Sequence, residues 1–287
     1  MDIYMSVPAI NAMNITKSYK GRRVLNNFNL EVSQGEILAF MGPNGAGKTT
    51  MVNILTGLIR ADSGEIFYSG QRFCPECLDQ KKIIGVVPQN NNLERDISVE
   101  ENLTIHGYLF GYSGETLRTK IDEVLTHVDL HDRRKSIVSQ LSGGMKRRIT
   151  IARALMHDPR ILFLDEPSTG LDPLSRKNIH ALIRKLNREA GVCVFLTTHY
   201  VEEAATLASR VVFISSGSLV GMGTPTELKD DIGKYALEFI HDDTYQTEYF
   251  THREEAVKAA EHCGEDIRIR EVTLEDAYIR LTGEKIR

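Results

Sequence analysis

Five short apolar runs punctuate this chain, at residues 37–41, 83–87, 161–164, 192–197 and 211–214. A run without polar alternation fits a strand covered on both faces, so the five predict a mostly parallel sheet between layers of helices. From 9 to 32 the pattern changes: apolar and polar residues alternate on either side of Lys20-Gly21, which predicts an antiparallel hairpin. Residues 64–68 alternate in the same way. Between 98 and 158 the period lengthens to that of a helix. Ser98 and Glu101 stand at capping-box spacing, and Leu117, Ile121, Val124, Leu125 and Val128 fall on one helix face. After Pro225 a smaller α/β pattern follows, with strands at 236–240 and 267–272, a helix near 254–262, and a last helix carrying Leu274 and Tyr278.

The expected organisation is therefore an α/β sheet domain over 1–225, with an antiparallel β portion and a helical insert at 97–158. Residues 226–287 are read as a small C-terminal α/β appendage, near the lower size limit for independent folding. Immediately beyond the first four apolar runs come a glycine-rich loop, Gln89, Asp165 with Glu166, and His199. Open α/β sheets bind ligands at the carboxyl ends of their strands, so these groups are candidates for one site.

Composition narrows the function. The chain has 287 residues and a formal charge of −4, with acidic and basic residues interspersed. Basic clusters such as Arg147-Arg148 are too short for a nucleic-acid footprint, so DNA or RNA is not an expected partner. No apolar run reaches the roughly 18–20 residues needed to span a bilayer, and no basic leader precedes an apolar stretch. A soluble, cytoplasmic chain is expected. The four cysteines, Cys74, Cys77, Cys193 and Cys263, do not form a disulfide framework, in keeping with a reducing compartment. Cys74-Pro75-Glu76-Cys77 has the spacing of half a zinc site or a redox pair, but lacks a second pair and is read as an exposed turn between two strands.

The chemistry begins at Gly42-Pro43-Asn44-Gly45-Ala46-Gly47-Lys48-Thr49-Thr50, which satisfies the phosphate-loop pattern and stands between a predicted strand and a predicted helix. Glycines let backbone N–H groups turn inward around phosphates, and the helix N-terminus adds partial positive charge. Lys48 is placed to reach the β- and γ-phosphates of ATP, and Thr49 to put its hydroxyl on Mg²⁺. Residues 161–164 lead into Asp165 and Glu166. Neighbours on a strand point to opposite sides, so Asp165 can support Mg²⁺ while Glu166 accepts a proton from the attacking water. Alone, two acids at a strand end would be a solvated edge or a helix cap. Leu141-Ser142-Gly143-Gly144-Met145 opens a helix with Ser142 as N-cap and uncovered glycine N–H groups. It is either an ordinary capped helix or a second anion-binding helix end.

In this order, the phosphate loop, Gln89, Leu141-Ser142-Gly143-Gly144, the strand ending in Asp165-Glu166, Leu171-Asp172 and His199 resemble the ATP-binding cassette family, the ABC transporter ATPases, over about residues 10–225. The resemblance implies a P-loop NTPase (RecA-like) core. It also implies two cassettes paired head to tail, each ATP lying between the phosphate loop of one and the signature helix of the other. On that pattern Tyr19 stacks on adenine, though it has a second reading as packing within its hairpin. Gln89 touches Mg²⁺ and senses a separate transmembrane permease. Ser142, Gly143 and Gly144 bind the γ-phosphate across the dimer, Asp172 organises the seam, and His199 contacts the γ-phosphate and holds the attack geometry with Glu166. The family signature usually has Gln where this chain has Met145. Met145 followed by Lys146-Arg147-Arg148, Thr198-His199-Tyr200, and the stretch from Thr273 to Tyr278 resemble the half-transporter exporters for drugs, polysaccharides and nodulation-type lipooligosaccharides.

The expected function is an ATP-hydrolysing subunit, peripheral to the inner face of the cell membrane, that energises transport through that permease. The direction expected is export, with an importer motor as the alternative. Two further classes would carry different features. A non-transport family member acting on ribosomes or DNA would usually carry tandem cassettes or a coiled-coil insertion, and a catalytically dead sensor would lack Glu166 or His199. The transported substrate is not encoded here, since its specificity lies in the membrane subunit.

Overall fold

A computed structural model describes residues 7–242, 244–263 and 265–283. Strands β1 (Ile10–Tyr19) and β2 (Arg22–Val32) pair antiparallel across Lys20 and Gly21, both at positive φ as a tight hairpin turn requires. The buried hairpin residues include Ile10, Ala12, Ile15, Leu25, Phe28 and Leu30. Then β3 (Ile37–Met41), buried throughout, runs into the glycine loop and helix α1 (Lys48–Leu55). β4 (Ser63–Tyr68) returns to pair with β1, and the short β5 (Gln71–Arg72) extends that sheet, giving the order β2-β1-β4-β5.

A one-turn helix, α2 (Leu78–Lys81), leads to β6 (Ile84–Val87). The insert follows as α3 (Val99–Leu109), α4 (Gly114–His127) and α5 (Gly143–Leu155). The capping box is present: the Ser98 hydroxyl accepts from the Glu101 N–H at 3.2 Å, and the Glu101 carboxylate accepts from the Ser98 N–H at 2.7 Å. Leu117, Ile121, Val124, Leu125 and Val128 are buried together with Leu103 and Ile149.

The chain re-enters the sheet at β7 (Ile161–Asp165) and continues through α6 (Pro173–Ala190), β8 (Cys193–Thr198), α7 (Val201–Leu207), β9 (Arg210–Ser215) and β10 (Ser218–Gly223). The central sheet has the order β10-β9-β3-β8-β7-β6, parallel except for β10. Both faces are covered, and the strand pleat divides its residues between two cores. Ile37, Ala39 and Met41 face the helical side, while Leu38 and Phe40 face the antiparallel sheet and α1. On that second side the ring of Phe40 lies 5.5 Å from Phe28 and 5.5 Å from Phe195.

Beyond α8 (Pro225–Asp230) come β11 (Tyr235–His241), β12 (Thr244–Phe250), α9 (Arg253–Ala260), β13 (Glu265–Glu271) and α10 (Leu274–Thr282), with the sheet order β12-β11-β13. Sequence pattern did not reveal β12. Its segment, Thr-Tyr-Gln-Thr-Glu-Tyr-Phe, contains no aliphatic residue and forms an exposed edge strand held by backbone pairing with β11. α10 folds back onto the main body: Leu274, Ala277 and Tyr278 share the helical-side core, and Tyr278 meets Phe213 edge-on at 5.4 Å.

The reading of the Cys74–Cys77 segment as a plain turn between two strands needs correction. It lies between β5 and α2, and the two cysteines are paired as a disulfide. The cause is local: the Cys77 N–H donates to the Cys74 carbonyl at 3.0 Å, closing a turn whose Cα ends stand 5.3 Å apart, within disulfide reach.

Candidate nucleotide site

The loop after β3 is shaped by close approaches that only glycine allows. A Cβ on Gly42 would stand 2.3 Å from the Ile214 carbonyl oxygen of β9. Gly47, at φ 111°, has the Val24 carbonyl 2.8 Å from where its Cβ would be. Gly47 is also the N-cap of α1 and has no side chain to cap it, so the first N–H groups of that helix remain open to an anion. Lys48 is buried, and its Nζ donates to the carbonyls of Gly42 at 2.8 Å and Pro43 at 3.1 Å. Burial pushes its pKa down, against the pull of Glu166 and Asp165.

Asp165, the last residue of β7, accepts from the Thr49 hydroxyl at 3.1 Å and from the Thr197 hydroxyl of β8. Glu166 was expected to diverge from it by strand alternation. The separation has a different cause: Glu166 has left the strand and sits at φ 46°, in the left-handed region. Its N–H donates to the Thr197 hydroxyl at 3.1 Å, with the Thr197 carbonyl at 3.2 Å, which holds the kink.

Four groups surround the Glu166 carboxylate. Gln89 Nε2 donates to Oε2 at 3.2 Å, and the Thr169 hydroxyl donates to the same oxygen at 3.0 Å. Lys48 Nζ stands 3.7 Å from Oε1. His199 Nδ1 is 3.1 Å from Oε1 but off the line of a hydrogen bond. Burial raises the pKa of Glu166, yet His199, Thr169 and Lys48 together outweigh it and hold the carboxyl below its ordinary value. The arrangement presents an anionic oxygen beside a cation and a ring nitrogen, which suits proton acceptance from water next to a phosphate.

These groups open into a cleft of about 750 Å³ lined by the loop from Pro43 to Thr50, Gln89, Glu166 and Tyr19. Tyr19 is half-exposed at the mouth, with Lys17 Nζ 5.6 Å from its ring centroid. The structure thus brings together the phosphate loop, Tyr19, Gln89, Asp165, Glu166 and His199. It does not bring Ser142, Gly143 and Gly144 into that cleft. They form a separate patch: Ser142 caps α5 by accepting from the Met145 N–H at 3.2 Å, and a Cβ on Gly144 would meet Ser175 Oγ at 2.5 Å. Asp172 caps α6 by accepting from the Ser175 N–H at 2.9 Å, so Asp172 and the signature glycines are neighbours. Three residues around the acids had not been selected from the sequence: Thr169, Thr197 and Arg147. Thr197 stands two positions before His199 and was the most accessible of them.

A family model described as "ABC transporter" matches residues 25–169. A Nod factor export ATP-binding protein I from Cupriavidus metallidurans is 38% identical over 295 residues, covering 96% of this chain and 97% of that one. The chain belongs to the ABC transporter family. It is an ATP-binding subunit and an ATPase of that family. A linearmycin resistance ATP-binding protein from Bacillus subtilis is 38% identical and covers 78% of this ABC chain and 72% of its own. Among solved structures, a dimeric ATP-binding cassette in a post-hydrolysis state bound to ADP and Pi superposes with a TM-score of 0.68 at 31% identity, covering 75% of this chain and 98% of that one. The P-loop NTPase fold expected from the sequence is thereby established. Among the described residues no helix is long and apolar enough to cross a membrane.

Proposed function

We propose that this cassette hydrolyses MgATP at a site completed by a second copy of itself, and so drives export through a separate transmembrane permease on whose inner face it sits. The observation that carries the chemistry is the Glu166 carboxylate, held anionic between Gln89, Thr169, His199 and Lys48 at the edge of the phosphate loop. Support for the partners comes from two sources. The anion-ready Ser142–Gly144 helix end lies outside the chain's own cleft, and the similar solved cassette is dimeric.

In the proposed reaction Glu166 takes a proton from water as the water oxygen bonds to the γ-phosphorus. The bond from that phosphorus to the β–γ bridging oxygen breaks, leaving ADP and phosphate. Lys48 exchanges its loop carbonyls for β- and γ-phosphate oxygens, and His199 steadies the γ-phosphate. The Thr49 hydroxyl and Asp165 carboxylate, side by side at 3.1 Å, are hard oxygen donors that fit Mg²⁺, with Gln89 nearby. Bound there, the ion would neutralise phosphate charge. Tyr19 covers the adenine, Ser142 to Gly144 of one copy meet the γ-phosphate held by the other, and Asp172 lines the seam. Residues 1–225 would form the ATPase domain and 226–287 the appendage.

Export, rather than import, follows the relatives, whose names state Nod factor export and linearmycin resistance. The test is co-expression with a multi-span membrane protein encoded beside it. Recovery of the chain with the membrane fraction, and faster MgATP hydrolysis in the reconstituted pair, are expected. A chain that stays unbound and shows no MgATPase activity in either preparation would overturn the proposal.

A further inference from the structure

Arg147 stands five positions after the α5 N-cap Ser142 and is only 3% exposed. Among the described residues its guanidinium is satisfied by backbone carbonyls and not by a carboxylate ion pair. Nε donates to the Pro167 carbonyl at 2.9 Å and Nη2 to the Asp165 carbonyl at 2.9 Å. Nη1 donates to the Pro88 carbonyl and reaches the Gln89 carbonyl at 3.3 Å and Asn91 Oδ1 at 3.5 Å. Burial lowers its pKa to about 10, so it remains a cation at neutral pH.

The two backbone segments it joins carry the two partners of one contact. Asp165 and Pro167 bracket Glu166, and Pro88–Gln89 carries the amide that donates to Glu166. A planar fork with donors on three sides can hold both segments at once, and a lysine ammonium of similar reach cannot reproduce that geometry. Burying a full charge to bind mainly main-chain oxygens is costly unless the donors are used, and here they fix the relative position of α5, the Gln89 segment and the end of β7.

We propose that Arg147 is a positioning residue for hydrolysis, setting the distance between Gln89 and Glu166 and linking both to the helix that begins at Ser142. The inference rests on Glu166 being the base. Since the N-terminus of the same helix would meet the nucleotide held by the second copy, Arg147 also gives the state of one ATP site a mechanical route to the catalytic pair of the other.

The test compares Arg147→Lys and Arg147→Gln with the unmodified chain and with Glu166→Gln, reading kcat, KM for MgATP and thermal midpoint. A misplaced catalytic group costs on the order of 100-fold in rate, so kcat should fall by about that factor in both variants while KM stays within about threefold. Arg147→Lys, which keeps charge and bulk, serves where Arg147→Gln does not fold. A folded Lys variant with unchanged kcat, alongside an inactive Glu166→Gln, overturns the role of Arg147 alone. An active Glu166→Gln overturns the reading on which it rests.

Discussion

Gln89 Nε2 and Glu166 Oε2 stand 3.2 Å apart, a hydrogen bond across 77 positions of the sequence. It ties the end of β6 to the end of β7, strands that lie side by side at the edge of the central sheet. On the proposed reading, this bond links the residue that senses the membrane partner to the proton acceptor. Gln89→Ala removes a neutral donor to a charged acceptor, worth about 1.5–3 kcal/mol. If that contact is kept in the transition state, kcat should fall about tenfold or more with KM for MgATP nearly unchanged. Steady-state phosphate release checks this, and a pure KM effect would contradict it.

Lys48 donates its ammonium to the Gly42 and Pro43 carbonyls of the phosphate loop. Lys48→Ala should weaken ATP binding by about 1.5–3 kcal/mol, read by calorimetric titration with ATP. Equal affinity in the two proteins would remove Lys48 from the phosphate site.

Gly42→Ala tests the loop's shape. The added methyl would collide with main chain, the Ile214 carbonyl, which cannot swing aside as a side chain can. The loop must shift from β9, and ATP binding should be lost while the far-UV dichroism of the sheet domain survives. Retained nucleotide affinity would show that the close approach has no bearing on the site.

A separate electrostatic cluster holds the C-terminal sheet to α10. Arg270 pairs with Glu238 and with buried Asp276, which also accepts from the Thr273 N–H at 2.8 Å. Burial raises the pKa of Asp276, but Arg270 and Thr273 outweigh it and the net shift is downward. A depressed carboxylate stabilises the fold above its unfolded value, about 3.9, and that stability is lost as pH falls through the folded value. Acid unfolding of this part should therefore begin only below the ordinary aspartate range. Arg270→Met leaves Asp276 charged and unpaired, which should cost about 3 kcal/mol at most and bring the acid transition to higher pH. Denaturant melts at neutral and acid pH measure both, and an unchanged acid transition would contradict the account.

Much of this structure could be read from residue pattern because the cause was local. The five apolar runs are the five parallel strands within one or two residues, since a strand buried on both faces needs continuous apolarity. The phosphate loop and the caps at Ser98 and Ser142 follow from side-chain types at fixed spacing. What stayed hidden depends on main-chain geometry or on distant partners. β12 is held by backbone pairing and carries no pattern of its own. The kink at Glu166 is imposed by Thr197, 31 positions away. Arg147 looked like half of a surface basic pair because its partners are carbonyl oxygens, which leave no trace in side-chain sequence.

The central claim is that Glu166 carries out hydrolysis in a site shared by two copies. The solution mass of Glu166→Gln with and without saturating MgATP tests it most directly. Binding survives the loss of the base, so ATP should convert a 32.3 kDa monomer into a particle of twice that mass, with the nucleotide recovered unhydrolysed. A particle that stays at 32.3 kDa, or one that returns ADP, would contradict the account.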